Sequence, residues 1–132
     1  MVKKITLLLI AFFLTGCAAP VGSQAQIQLC LDFLHSYGIQ ADPVPIEESR
    51  VLLPGDLDPV YEHYEELIAK DGFSLLPYLG KEVTRLTFSV TNYPDRQDVR
   101  ANLLLYRNTI IAGDLSTVSF YGFMESFSDF PS

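Results

Sequence analysis

The chain has 132 residues, enough for one small domain, and is 48% hydrophobic and 19% charged. Sixteen acidic residues against nine basic ones give a formal charge of −7. No lysine or arginine cluster is present, and a surface of that sign repels nucleic acid and anionic headgroups, so neither is expected as a partner of the folded domain.

Residues 1–17 carry the strongest signal. Lys3 and Lys4 make a cationic start, and Ile5 to Leu14 is an unbroken apolar run of ten. A membrane-spanning helix needs roughly 20 apolar residues, so the run has the length of a signal-peptide core. Leu14-Thr15-Gly16-Cys17 follows at once and resembles the bacterial lipobox, in which small residues let an extended backbone enter the signal peptidase and the thiol accepts a diacylglyceryl group. Residues 1–16 are therefore expected to be a lipoprotein signal peptide, Cys17 the lipidated first residue of the mature chain, and 17–25 a flexible tether. A domain over 26–132 would then sit at the outer face of the cytoplasmic membrane, with the lipid on Cys17 as its membrane contact. Cys30 is left without a disulfide partner once Cys17 is alkylated.

Ile27, Cys30, Leu31, Leu34 and Tyr37 recur at helical spacing before Gly38, which predicts a helix over Gln24 to Tyr37 with Cys30 on its apolar stripe. Nothing cationic adjoins Cys30 to lower its pKa, so the thiol reads as a small buried hydrophobe. Asp42 to Pro54 holds three prolines, which confines any strand there, over Ile46 to Leu53, to a sheet edge. A second helix is marked by Asp58 as N-cap, Pro59 at its first position and Gly72 past its end. Its apolar face is Val60, Tyr64, Leu67 and Ile68, and Glu66 and Lys70 are spaced for an ion pair.

The remainder reads as β. Strands are predicted over Lys81 to Thr91, Arg100 to Tyr106 and Thr109 to Leu115, with turn chemistry at Asn92 to Asp95 and a hairpin at Arg107-Asn108. Matching apolar faces sets Leu86 opposite Leu105, Phe88 opposite Leu103 and Val90 opposite Ala101. The other face then gathers Arg85, Arg100, Asn102 and Tyr106, a candidate site for a carboxylate or a peptide backbone, because a guanidinium fork takes such groups bidentately. Leu104 and Ile111 share this face and imply a partial cover. The aromatic tail, with Phe120, Tyr121, Phe123, Phe127 and Phe130 and a helical turn near 122–127, would supply that cover or offer a partner surface of its own.

The search for chemistry yields less. His63 and Glu66 share a helix face within Glu62-His63-Tyr64-Glu65-Glu66, short of the three or four ligands a zinc site needs. No nucleophile elbow, phosphate loop or dinucleotide fingerprint is present, and no cofactor is implied.

Val90-Thr91-Asn92-Tyr93-Pro94, Val99 to Tyr106 and Ile110 to Asp114, with Gly122-Phe123-Met124 beyond them, resemble a family of short Firmicutes lipoproteins known as domain of unknown function 4830. The resemblance runs over about 61–127 and implies a Gram-positive cell surface and an independently folding domain. The family has no established activity, so no site residue carries over from it. The layout is also similar, at the level of fold, to propeptide-like and cystatin-like modules that bind other proteins.

The expected fold is α+β, an antiparallel sheet of three to four strands with two helices packed on one face. The expected function is a non-catalytic binding or protein-interaction module of the cell envelope, with an envelope protein or peptide as partner. The alternative is a small envelope hydrolase built around His35 or His63.

Overall fold

A computed structural model describes residues 23–119 and 122–131. The expected signal peptide, Cys17, most of the tether, and Phe120 and Tyr121 lie outside the described residues.

Helix α1 spans Gln24–Ser36, so the last two residues of the expected tether are already helical. Its start is a capping box. The Ser23 hydroxyl accepts from the Gln26 N–H at 3.1 Å, and the Ser23 N–H donates to the Gln26 side chain at 3.2 Å. Its end is set by Gly38 at φ 79°, which lets the N–H of Gly38 reach the carbonyl of His35 and that of Ile39 reach Leu34. Strand β1 (Glu47–Leu52) follows, then α2 (Pro59–Ala69), a 3₁₀ turn (Leu76–Tyr78), β2 (Glu82–Ser89), β3 (Val99–Tyr106), β4 (Thr109–Thr117), β5 (Met124–Glu125) and a 3₁₀ turn at Phe127–Asp129. Asp58 caps α2 by accepting from the Tyr61 N–H at 2.9 Å, with Pro59 at its first turn.

Among the described residues the strands form one antiparallel sheet in the order β1-β2-β3-β4-β5. The α+β class holds, but there are five strands and not three to four. The fifth is a two-residue piece of the tail, where a helical turn was expected.

The helices do not share a face. Ile27, Cys30 and Leu34 of α1 pack on Leu86, Phe88, Ala101, Leu103, Leu105 and Leu115. Ile68 of α2 packs with Leu53, Leu75, Val83, Leu104, Ile111 and Ala112 on the other face. The first face is apolar along the central strands and the second is apolar at Val83, Leu104, Ile111 and Ala112, and each large side chain so buried contributes about 1.5–3 kcal/mol. The tail covers mainly the first face: Phe127 is buried there, edge-on to Phe33 at 5.2 Å between ring centroids, while Met124 reaches the edge of the second.

The register between β2 and β3 lies two residues from the expected one, with Leu86 opposite Leu103 and Phe88 opposite Ala101. A two-residue slip keeps every side chain on its own face, so alternation alone does not detect it. What fixes the register is the connection. Val90 N–H donates to Val99 at 2.9 Å, and the turn Tyr93-Pro94-Asp95-Arg96 carries Asp95 at φ 60° after the proline.

Candidate functional site

On the α2 side of the sheet the helix stands away from the strands and leaves a groove of about 830 Å³. This is the volume range of small-molecule sites. Ile68 is the α2 residue that is buried, near the helix's C-terminal end. Tyr61 and Tyr64 pack, partly buried, against the same cluster as Ile68, and polar ties add to this. Glu65 accepts from the Ser74 hydroxyl and, at 2.9 Å, from the Leu75 N–H. Lys70 pairs with Asp129 at 3.4 Å, and Asp71 accepts from the Phe127 and Ser128 N–H groups at 2.8 and 3.0 Å. The expected Glu66–Lys70 pair is not the one formed: Glu66 faces His63 at 3.7 Å.

The groove's walls are apolar. Val51, Leu53 and Leu104 line it from the sheet, Val60, Tyr61 and Leu67 from α2, and Met124 from the tail. Val60, at the start of α2, is 75% exposed. Polar groups converge on the floor. Asn102, 6% exposed, accepts from Arg85 Nη2 at 3.1 Å and from the Thr87 hydroxyl at 2.9 Å. It donates to Asp114 at 3.1 Å and to the Ser116 hydroxyl at 2.9 Å. The Tyr64 hydroxyl donates to the other oxygen of Asp114 at 2.9 Å, which bridges α2 to β4. Arg85 turns its second amino group toward Glu47 at 3.5 Å.

Burial dominates the titration of this floor. Asp114 is 4% exposed, and desolvation raises its pKa against the opposing hydrogen bonds from Asn102 and Tyr64 and the charge of Arg85. Burial, then the neighbouring Asp114 charge, pushes the Tyr64 phenol well above its ordinary value.

The four residues expected to form a site do lie on one face, and the structure divides them. Arg85 and Asn102 line the groove, linked directly to each other. Arg100 sits opposite Ser89, four residues along β2 from Arg85, or about 13 Å at roughly 3.3 Å per residue. Arg100 does not line the groove, and the Arg85 guanidinium is turned to Asn102 and Glu47. Tyr106 belongs to the far end of the strand, where it packs on Tyr78 at 5.4 Å and carries Arg107 over its ring. Asp114 and Tyr64 were missed as site residues. The available signal was an aspartate inside the apolar run from Ile110 to Leu115, which a buried strand tolerates only with partners.

The histidines are apart from each other. His35 is exposed in the last turn of α1, on the opposite side of the sheet, while His63 lies on the groove rim. Among the described residues, none of those lining the groove is Ser, Thr or Cys. Among the described residues no group of three or more His, Cys, Asp or Glu is placed to hold a metal ion.

The family model described as domain of unknown function (DUF4830) matches residues 33–115, and the chain belongs to that family. The match begins in α1, earlier than the expected Tyr61, and ends in β4, so it takes in the floor and the α2 wall of the groove. No curated protein matches the chain. No solved structure matches it either.

Proposed function

We propose that this member of the family is a surface-tethered binding module of the bacterial cell envelope, which takes its ligand in the groove between α2 and the sheet. The observation that carries the reading is the groove itself, apolar along its walls and fitted with a fixed polar floor at Arg85, Asn102, Asp114 and Tyr64. Such a site suits a ligand with an apolar body and one polar group, an envelope peptide or protein segment among them. Arg85 already has its orientation set by Asn102, and it retains N–H groups to offer a ligand acceptor.

The tethering half of the proposal is supported by the cationic start, the apolar run and Leu14-Thr15-Gly16-Cys17. With α1 beginning at Gln24, a lipid on Cys17 would hold the domain close to the outer face of the cytoplasmic membrane.

The test is capture from envelope extract with wild-type, Arg85→Ala and Arg100→Ala proteins as bait. Hydrogen bonds to a charged group contribute about 1.5–3 kcal/mol, so Arg85→Ala should weaken capture of the groove ligand roughly 10- to 100-fold. Arg100→Ala, outside the groove, should leave it unchanged. Equal capture by wild type and Arg85→Ala would remove the groove from the proposal.

A further inference from the structure

The hydrogen-bonding capacity of the groove floor is spent almost everywhere. The Asn102 oxygen accepts from Arg85 and Thr87, and its amide donates to Asp114 and Ser116. Asp114 is buried, and its two oxygens accept from Tyr64 and Asn102. Arg85 is different. One of its amino groups donates to Asn102, the other faces Glu47 at 3.5 Å, and the side chain is partly exposed. A guanidinium has more N–H groups than these contacts use, so donors are left over at this point. The floor therefore offers a ligand one charged donor and, apart from the Tyr64 hydroxyl oxygen, no acceptor.

We propose that the ligand of the groove is a long-chain fatty acid, with its carboxylate on Arg85 and its acyl chain against the apolar walls. The proposal rests on the groove being the binding site and names what fills it. A peptide suits the walls but not the floor. Each of its residues brings an N–H that must find an acceptor once buried. The backbones of β2 and β3 are paired on both sides, that of α2 is paired within the helix, and the oxygens of Asn102 and Asp114 are taken. An acyl chain makes no such demand, and its one polar end only accepts, as the free donors of Arg85 require.

Charge and shape agree with this choice. The Glu47 contact is an exposed ion pair, and a carboxylate on the ligand replaces it like for like. The lining comes from all five described strands, from Val51 on β1 to Met124 on β5, so the groove crosses four inter-strand spacings, or about 19 Å at roughly 4.8 Å each. That is room for one extended chain. Covering Asn102 and Asp114 with hydrocarbon breaks no hydrogen bond, because their partners are protein groups.

The test is light-driven labelling of the purified full-length chain by hexadecanoic acid carrying a diazirine in its chain. The matching hexadecanol is the second probe, and peptide mapping is the readout. The acid should label residues 51–70 at least roughly tenfold more than the alcohol does. Arg85→Gln should cut labelling by the acid roughly tenfold and leave the weaker labelling by the alcohol unchanged, a pattern that loss of folding does not produce. Among unlabelled competitors from decanoate to hexadecanoate, each added methylene should strengthen displacement about fourfold. Equal labelling by acid and alcohol, or an acid signal indifferent to Arg85→Gln, would overturn the fatty acid and leave the groove as a binding site. No labelling of 51–70, with capture from envelope extract still dependent on Arg85, would overturn it in favour of a peptide or protein in the same groove. No labelling together with capture that ignores Arg85 would remove both the fatty acid and the groove.

Discussion

Cys30 and Asp114 are buried on opposite faces of the sheet, and burial raises the pKa of both. For Cys30 the thiol is pushed up to about 12, so it stays neutral and unreactive. Its labelling by a thiol reagent should be at least roughly 100-fold slower in the folded protein than in denaturant, because it must wait for opening of the core. Similar rates in both conditions would show that α1 is out of phase. Asp114 has a different consequence. Its carboxyl holds a proton more tightly in the fold than in the unfolded chain, so its contribution to stability is fully present below the ordinary value of 3.8 and is lost as pH rises through the folded pKa. Asp114→Asn should therefore match wild type in urea denaturation at pH 3 and exceed it in stability at pH 7. A variant less stable than wild type at pH 7 would mean that the carboxylate's hydrogen bonds outweigh its burial. The helical period displayed Cys30's burial in the sequence. Asp114 was less legible, because its partners Tyr64 and Asn102 lie 50 and 12 residues away and come together through tertiary packing.

The elements themselves were legible where short-range chemistry sets them. Asp58-Pro59 and Gly38 mark real helix ends because a cap is satisfied within a few residues. The register was not legible, because a slip of two preserves the face of every residue and the pattern that was matched does not change. Gly113 shows how tightly the native register is held. A Cβ there would lie 2.6 Å from the carbonyl oxygen of Asn102 and 2.7 Å from two ring atoms of Phe127. The ring can shift, but the strand backbone cannot do so cheaply. Gly113→Ala should destabilise the fold by about 1–3 kcal/mol in chemical denaturation, the usual cost of overpacking. A loss below about 0.5 kcal/mol would show that β3, β4 and the tail are packed more loosely than described. Phe127→Ala, which empties a core position, should cost about 3–5 kcal/mol.

At the scale of the whole molecule, placing both helices on one face failed for a physical reason that the chain itself contains. Leu104 and Ile111 are apolar residues on the face opposite the first helix, and a sheet with apolar residues on both faces needs two covers. α2 supplies the second cover and, standing off the strands, creates the groove. Part of the candidate site survives that change, since Arg85 and Asn102 form its floor, while Arg100 and Tyr106 do not line it. The proposed anchoring makes a separate prediction. Cys17→Ser should leave an unlipidated precursor that the lipoprotein peptidase does not cleave, read by metabolic lipid labelling and gel mobility. A mutant that is labelled and processed like wild type would contradict it.

The central claim, that the groove is where this protein meets its ligand, is tested most directly by photo-crosslinking in living cells. A photoreactive amino acid at Val60, exposed on the groove rim, is compared with the same residue at His35, exposed on the opposite side of the sheet. The account predicts a discrete adduct at position 60 that is absent at position 35 and falls at least tenfold when Arg85 is replaced by alanine. No adduct at position 60, or the same products at both positions, would contradict it.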